Sequence, residues 1–181
     1  MINSIRFLVK IVVIGLILLL SFIFDTNSSK TEESNIFQDP NELITKLSEN
    51  GIGNLKPWSN PMDIGWGSCT DYYRFGPINN DNGMDNNIAY YVEGTETEVT
   101  KMYINLNINN SDDKINALNL LIEMSERTFE TLGLKMSDEI KESILNSKEY
   151  EYNVGGYTIS NKLEKSNIET WKLTFERKTQ S

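Results

Sequence analysis

The sequence predicts an α+β protein: an N-terminal membrane helix or signal sequence, then one folded domain. Three observations lead there. Residues 11–24 form an apolar run interrupted only by Gly15 and Ser21. Met102, Ile104, Leu106 and Ile108 alternate with Tyr103, Asn105, Asn107 and Asn109, the period-2 pattern of a strand with one wet face. Residues 112–132 repeat apolar positions at steps of three and four, the mark of an amphipathic helix. The predicted order after the membrane segment is α-ββ-αα-βββ. It implies a mainly antiparallel five-stranded sheet with helices packed on one face.

Arg6 and Lys10 open the N-terminal segment, and the apolar run after them is 14 residues long. A bilayer crossing needs about 20 residues, so this length suits a signal h-region. Counted from Phe7, with Lys10 reaching to the headgroups, the run is 18 residues, just enough to span. No A-x-A cleavage site follows, and no cysteine sits after the run to take a lipid. Two readings stand for residues 1–24, an uncleaved signal-anchor crossing the membrane with 7–24 and a cleaved signal peptide. Both put the rest of the chain outside the cytoplasm, by the positive-inside rule or by secretion. Residues 25–38 are polar and read as a flexible linker, leaving 39–181 as a single domain.

The domain's elements follow in order. Asp39-Pro40-Asn41-Glu42 is a helix start: a cap, a proline for the first turn and a capping-box glutamate. Leu43, Ile44 and Leu47 share a face, and Asn50-Gly51 stops the helix. Residues 51–87 show no regular period and hold three of the four prolines; a segment this long and irregular is commonly functional. Residues 88–93 and the alternating run around Met102 make a hairpin. Ser111 is the expected cap of the long helix, whose buried side carries Ile115, Leu118, Ile122, Phe129 and Leu132. A shorter helix, 138–146, is capped by Ser137 and buries Ile140, Ile144 and Leu145. Tyr150, Tyr152 and Val154 lead into Gly155-Gly156, a two-residue hairpin turn. Trp171, Leu173 and Phe175 mark the last strand.

Composition closes off several chemistries. The chain has no histidine and one cysteine. That removes the Ser-His-Asp triad, the Cys-His pair, imidazole zinc sites and any internal disulfide. Arg6 and Lys10 are the only charges before Asp25, so the remainder carries 15 basic against 26 acidic residues, a balance of −11. Such a domain repels nucleic acid and suits a basic protein partner.

The densest stretch is GWGSCTDYYRFGP, residues 65–77. Together with Trp58 it supplies Trp66, Tyr72, Tyr73, Arg74 and Phe75, the residue types of a binding platform; the same rings equally suit anchoring a loop to its own domain. Cys69 lies among them without a base beside it in sequence, with Asp71 close to the nearest cation, Arg74. Residues 79–87 resemble a calcium loop, but Gly83 at the sixth position would put Ile78 at the first, where the pattern needs an acid. A looser cage of Asp81 and Asp85 is the alternative to a solvated turn. No catalytic residue, metal site or cofactor is expected.

The function these features imply is a non-catalytic, membrane-anchored or secreted protein of a bacterial envelope. It would bind a partner outside the cytoplasm, as an inhibitor or immunity-type factor does. Two alternatives remain open. One is an envelope hydrolase using carboxylates (Asp63, Asp71 or Glu93) or Cys69; the other is a purely structural envelope component.

Overall fold

The computed structural model describes residues 37–79, 83–165 and 168–178. The signal or anchor segment, and the linker up to residue 36, lie outside the described residues. Among the described residues, no helix is long and apolar enough to cross a membrane. Phe37–Ser181 forms one compact unit.

Helix α1 (Pro40–Leu47) starts as its sequence dictates. Asp39 Oδ1 accepts the Glu42 N–H at 3.0 Å, and Pro40 takes the first helical position. A π-type turn, Ser48–Ile52, ends it with Gly51 at φ 80°. Glycine is needed there twice over. The backbone is left-handed, and a Cβ would collide with the Arg127 guanidinium. The next elements are β1 (Trp66–Cys69), β2 (Tyr73–Phe75), β3 (Asn86–Gly94) and β4 (Val99–Ile108). Then come α2 (Lys114–Thr131), α3 (Asp138–Leu145), β5 (Tyr150–Val154), β6 (Tyr157–Lys165) and β7 (Glu169–Arg177). Gly155 and Gly156 both have positive φ and close the β5–β6 hairpin.

The seven strands form one sheet in which every pairing is antiparallel. The path runs β1-β3-β4-β7-β6-β5, and β2 also pairs with β3. Strict alternation sorts the side chains onto two faces. On one lie Val92, Met102, Phe175 and Ile159, all buried and in register across four strands. Helix α2 covers this face. Phe129 meets Phe175 edge-on with ring centres 5.2 Å apart, and the Thr128 and Tyr90 hydroxyls hydrogen-bond at 3.2 Å. Helices α1 and α3 pack against α2. Each large apolar side chain sealed in this layer contributes roughly 1.5–3 kcal/mol.

The α+β class and the antiparallel sheet match the sequence reading, but the sheet has seven strands rather than five. The order is α-ββββ-αα-βββ, because 66–69 and 73–75 are strands inside the segment read as irregular. They are four and three residues long and lie end to end along one side of β3, too short to show a period of their own. The long helix is also turned relative to expectation. Ile115 is 59% exposed and Ile122 half-buried, whereas Ala117, Leu121, Met124 and Thr128 are buried. The polar Thr128 sits in the centre of the stripe because Tyr90 satisfies it. Leu145, expected inside, is 40% exposed at the end of α3. Ser111 does not cap the long helix: it opens a 3-10 turn, Ser111–Asp113, that leads into α2 and is capped by Asn110, whose side chain accepts from the Asp112 N–H at 3.1 Å, while Asp113 stands at the N-cap of α2. Phe37, placed by sequence in the linker, is 2% exposed and packs on the Tyr157 ring at 5.3 Å.

A clasp of asparagines joins the segment before β3 to the β4–α2 corner. Buried Asn86 Oδ1 accepts from the backbone N–H groups of Asn109 and Asn110, each at 2.8 Å. Asn110 Nδ2 donates to Pro77 O, and Asn109 Nδ2 to Asp85 O. The described part of 79–87 is therefore a hydrogen-bonded turn. Asp81 of the proposed calcium cage lies outside the described residues, and Asp85 pairs with Arg74 at 3.4 Å.

Candidate functional site

The residues singled out from sequence do not gather at one point. Trp58 and Trp66 belong to the β1 end of the edge. Trp58 is half-buried and donates its indole N–H to Thr95 O at 3.2 Å. Trp66 is half-buried at the head of β1, opposite Gly94. With Pro57, Ile64 and Cys69 it lines a hollow of about 560 Å³. Tyr72, Tyr73, Arg74 and Phe75 belong to the β2 end. Tyr72 is 57% and Tyr73 62% exposed, Arg74 is exposed, and Phe75 stacks on Tyr73 at 6.0 Å.

A bulge separates the two ends. Thr70 N–H donates to Tyr90 O at 3.0 Å, and the next register pair is Tyr73 with Ile88. Three steps on the edge thus match two on β3, which kinks the strand and swings neighbouring side chains to opposite faces. Tyr72 hydrogen-bonds the Tyr91 hydroxyl at 3.1 Å. Tyr73 points to the helix side, sharing its face with Ile88.

On that helix side lies a groove of about 530 Å³ between the broken edge and α2. Ile52, Ile88, Leu120 and Met124 line it with apolar surface, Tyr73 forms a wall, and Tyr72 borders it at the bulge. Asp71, Glu123 and Arg127 charge its rim. Arg127 is held in place: Nη1 donates to Asn50 O at 3.2 Å and Gly51 O at 3.0 Å, and Nη2 to Glu123. Asp71 pairs with Lys56 at 2.8 Å, which raises the lysine above its ordinary value.

The sheet's second face is polar, half-exposed and internally bonded. Tyr91 and Tyr103 stack with centres 4.8 Å apart, and Lys172 Nζ stands 4.1 Å above the Tyr103 ring. The Tyr103 hydroxyl donates to Glu93 Oε1 at 2.8 Å, and Lys101 pairs with Glu93 at 2.7 Å. Burial chiefly, aided by Tyr72 at Tyr91 and by Glu93 at Tyr103, pushes both phenols up. Partial burial opposes the charge of Glu93. Lys101, Tyr103 and Lys172 outweigh it, and the carboxyl titrates below its ordinary range.

This geometry bears on the carboxylates considered from sequence. Asp71 and Glu93 are each spoken for by a lysine, and Asp63 is exposed in a turn with φ 56°. Cys69 is half-buried in β1. Among the described residues, no three of His, Cys, Asp and Glu come close enough to hold a metal ion. Sequence reasoning missed Ile88, Leu120, Met124 and Arg127. Nothing in the sequence says that the edge strand stops short of Leu120 and Met124 on α2.

Fold and groove define a class: an α+β domain with one antiparallel sheet, a helical layer on one face and an apolar groove at a broken edge. The chain belongs to DUF6030, a family of unknown function, whose model matches residues 32–181. No curated protein and no solved structure matches it.

Proposed function

We propose that the domain is a non-catalytic binding module that works outside the cytoplasm, carried there by residues 7–24 as an anchor or a signal. The observation that carries the reading is the groove beside β2. Tyr73 stands more than half exposed over a floor of aliphatic side chains, with the exposed Tyr72 at its border, which is the usual make-up of a protein-binding hot spot. The acidic balance of −11 from Asp25 onward favours a basic partner. An inhibitor or immunity-type role is consistent with export and with a partner of opposite charge. Glu93 is poorly suited to act as a general acid. A general acid needs a raised pKa, and this carboxyl is lowered.

The test is affinity capture from envelope extracts with the full chain. Wild type and Tyr152→Ala, altered at the far edge, are expected to retain the same partner. Tyr72→Ala with Tyr73→Ala is expected to lose it. Identical capture by all three chains would remove the groove from consideration. Hydrolytic turnover abolished by Glu93→Gln would replace the reading with an enzymatic one.

A further inference from the structure

We infer that the outer edge of β2, with the groove beneath it, accepts an extended basic segment of a partner protein as an added β-strand. The inference rests on the partner-binding reading and specifies its mode.

Backbone parity comes first. In an antiparallel ladder, each residue turns its N–H and C=O to the same side, and successive residues alternate. The Thr70–Tyr90 bond shows that even-numbered residues of β3 face this edge. Tyr73 opposite Ile88 and Phe75 opposite Asn86 therefore bond inward. Arg74 between them turns both backbone groups outward.

The protein treats the two halves of this edge differently. Along β1, the outward groups are taken by its own chain. Gly67 N–H donates to Ser59 O at 2.9 Å, Ser59 N–H to Gly67 O at 3.2 Å, and Lys56 N–H to Cys69 O at 3.1 Å. Ser68 Oγ fastens the same segment by donating to Lys56 O. Exposed edges are normally blunted in such ways. Along β2, among the described residues, nothing takes up the Arg74 N–H and C=O. The open half of the edge is also the half that borders the groove.

A strand added there gains main-chain bonds to Arg74, and every second side chain falls on the face that Tyr73 shares with Ile88. Those side chains would enter the groove above Leu120 and Met124. Main-chain pairing supplies affinity and the groove supplies selection, as in other cases of strand addition.

Charge selects the occupant. In the groove wall, Asp71 pairs with Lys56 and Glu123 with Arg127, so the excess of acid comes from the domain as a whole, 15 basic against 26 acidic residues from Asp25 onward. At the other end of the edge, Asp113 lies against Gly76. The Arg74 side chain is engaged by Asp85. An incoming segment alternating basic and apolar residues complements both the net charge and the floor. A second copy of this chain would instead bring one net acidic domain against another.

The experiment measures fluorescence anisotropy of a short labelled peptide alternating lysine and isoleucine, titrated with the full chain. Arg74→Ala keeps the outward N–H and removes a positive charge beside the edge, freeing Asp85, so it is expected to bind the lysine peptide at least as tightly as wild type. Arg74→Pro deletes that donor without touching an inward bond. It is expected to bind at least about tenfold more weakly, a difference of about 1.4 kcal/mol, as is Tyr73→Ala, which removes the groove-side ring without changing charge. Circular dichroism melting of the proline variant checks its fold. Should that variant not fold, a peptide N-methylated at alternate amides carries the same test and is expected to lose binding similarly. Equal binding by the N-methylated peptide, or by a glutamate–isoleucine peptide, would overturn the inference. So would a wild-type dimer in size-exclusion chromatography that Arg74→Pro dissociates, which would assign the edge to a second copy. Tyrosine-dependent capture of a partner that survives Arg74→Pro would leave the binding module standing and remove strand addition alone.

Discussion

The two faces of the sheet use the same strands in opposite ways. Val92, Met102, Phe175 and Ile159 cross β3, β4, β7 and β6 as one buried apolar row. One residue along each strand, Tyr91, Tyr103, Thr174 and Ser160 make the parallel row on the second face, all half-exposed. The first row is held by burial under α2, which is non-directional and large. The second is held by stacking, a cation over a ring and a carboxylate between a lysine and a phenol, each small and directional. The difference teaches where substitutions should cost stability and where they should not.

The largest effect is expected on the covered face. Phe129→Ala removes a fully buried ring that meets Phe175 edge-on. It should destabilise the domain by about 3–5 kcal/mol in urea unfolding. A loss under about 1 kcal/mol would mean that α2 does not seal this face. The groove lies off this contact, so partner capture under native conditions should persist if the variant folds.

A middle effect is expected at the corner where buried polar groups replace apolar ones. Asn86 is 0% exposed and is the shared acceptor for two backbone N–H groups. Asn86→Ala strands both donors in the interior, at a cost of about 1–3 kcal/mol. Amide hydrogen exchange at Asn109 and Asn110 should accelerate together. Unchanged exchange at either would show that the clasp is not what fixes the start of β3.

Much of this contrast is legible in the sequence, for a physical reason. Alternation around Met102 and around Leu173 reports burial directly, since period 2 assigns each residue a face. Gly155-Gly156 fixes the β5–β6 hairpin because that tight turn wants two left-handed residues. The clasp is not legible, because Asn86, Asn109 and Asn110 are far apart in sequence and asparagine is abundant here. The rotation of α2 is hidden as well. A threonine counts as polar until the Tyr90 hydroxyl is known to meet it. The candidate site is half legible. The sequence draws the eye to Tyr72 and Tyr73, while β2 and its bare edge depend on a register with β3 that three residues cannot announce. The expected grouping of Trp58 and Trp66 with the tyrosines fails because the bulge at 71–72 parts them.

The smallest effect, and the sharpest on the second face, is expected at Glu93. Its folded carboxyl titrates below the ordinary 4.5, with Lys101 and Tyr103 as direct partners. A lowered folded value means that the ionised form is stabilised in the native state. The contribution is therefore fully present above the ordinary value and is lost as pH falls through the lower, folded one. Glu93→Gln keeps an acceptor for the Tyr103 hydroxyl and deletes only the charge. The variant should lose under about 1 kcal/mol at neutral pH, because the side chain is 43% exposed and the pair is screened by water. The gap from wild type should close in acid, below 4.5, and should narrow with added salt at neutral pH. Urea midpoints of both chains at neutral and acid pH measure it. A gap that does not change with pH would mean the charge is idle and the stack of Tyr91, Tyr103 and Lys172 holds the face unaided. A gap of several kcal/mol would mean that the polar face is as demanding as the buried one, and the contrast between them would fall.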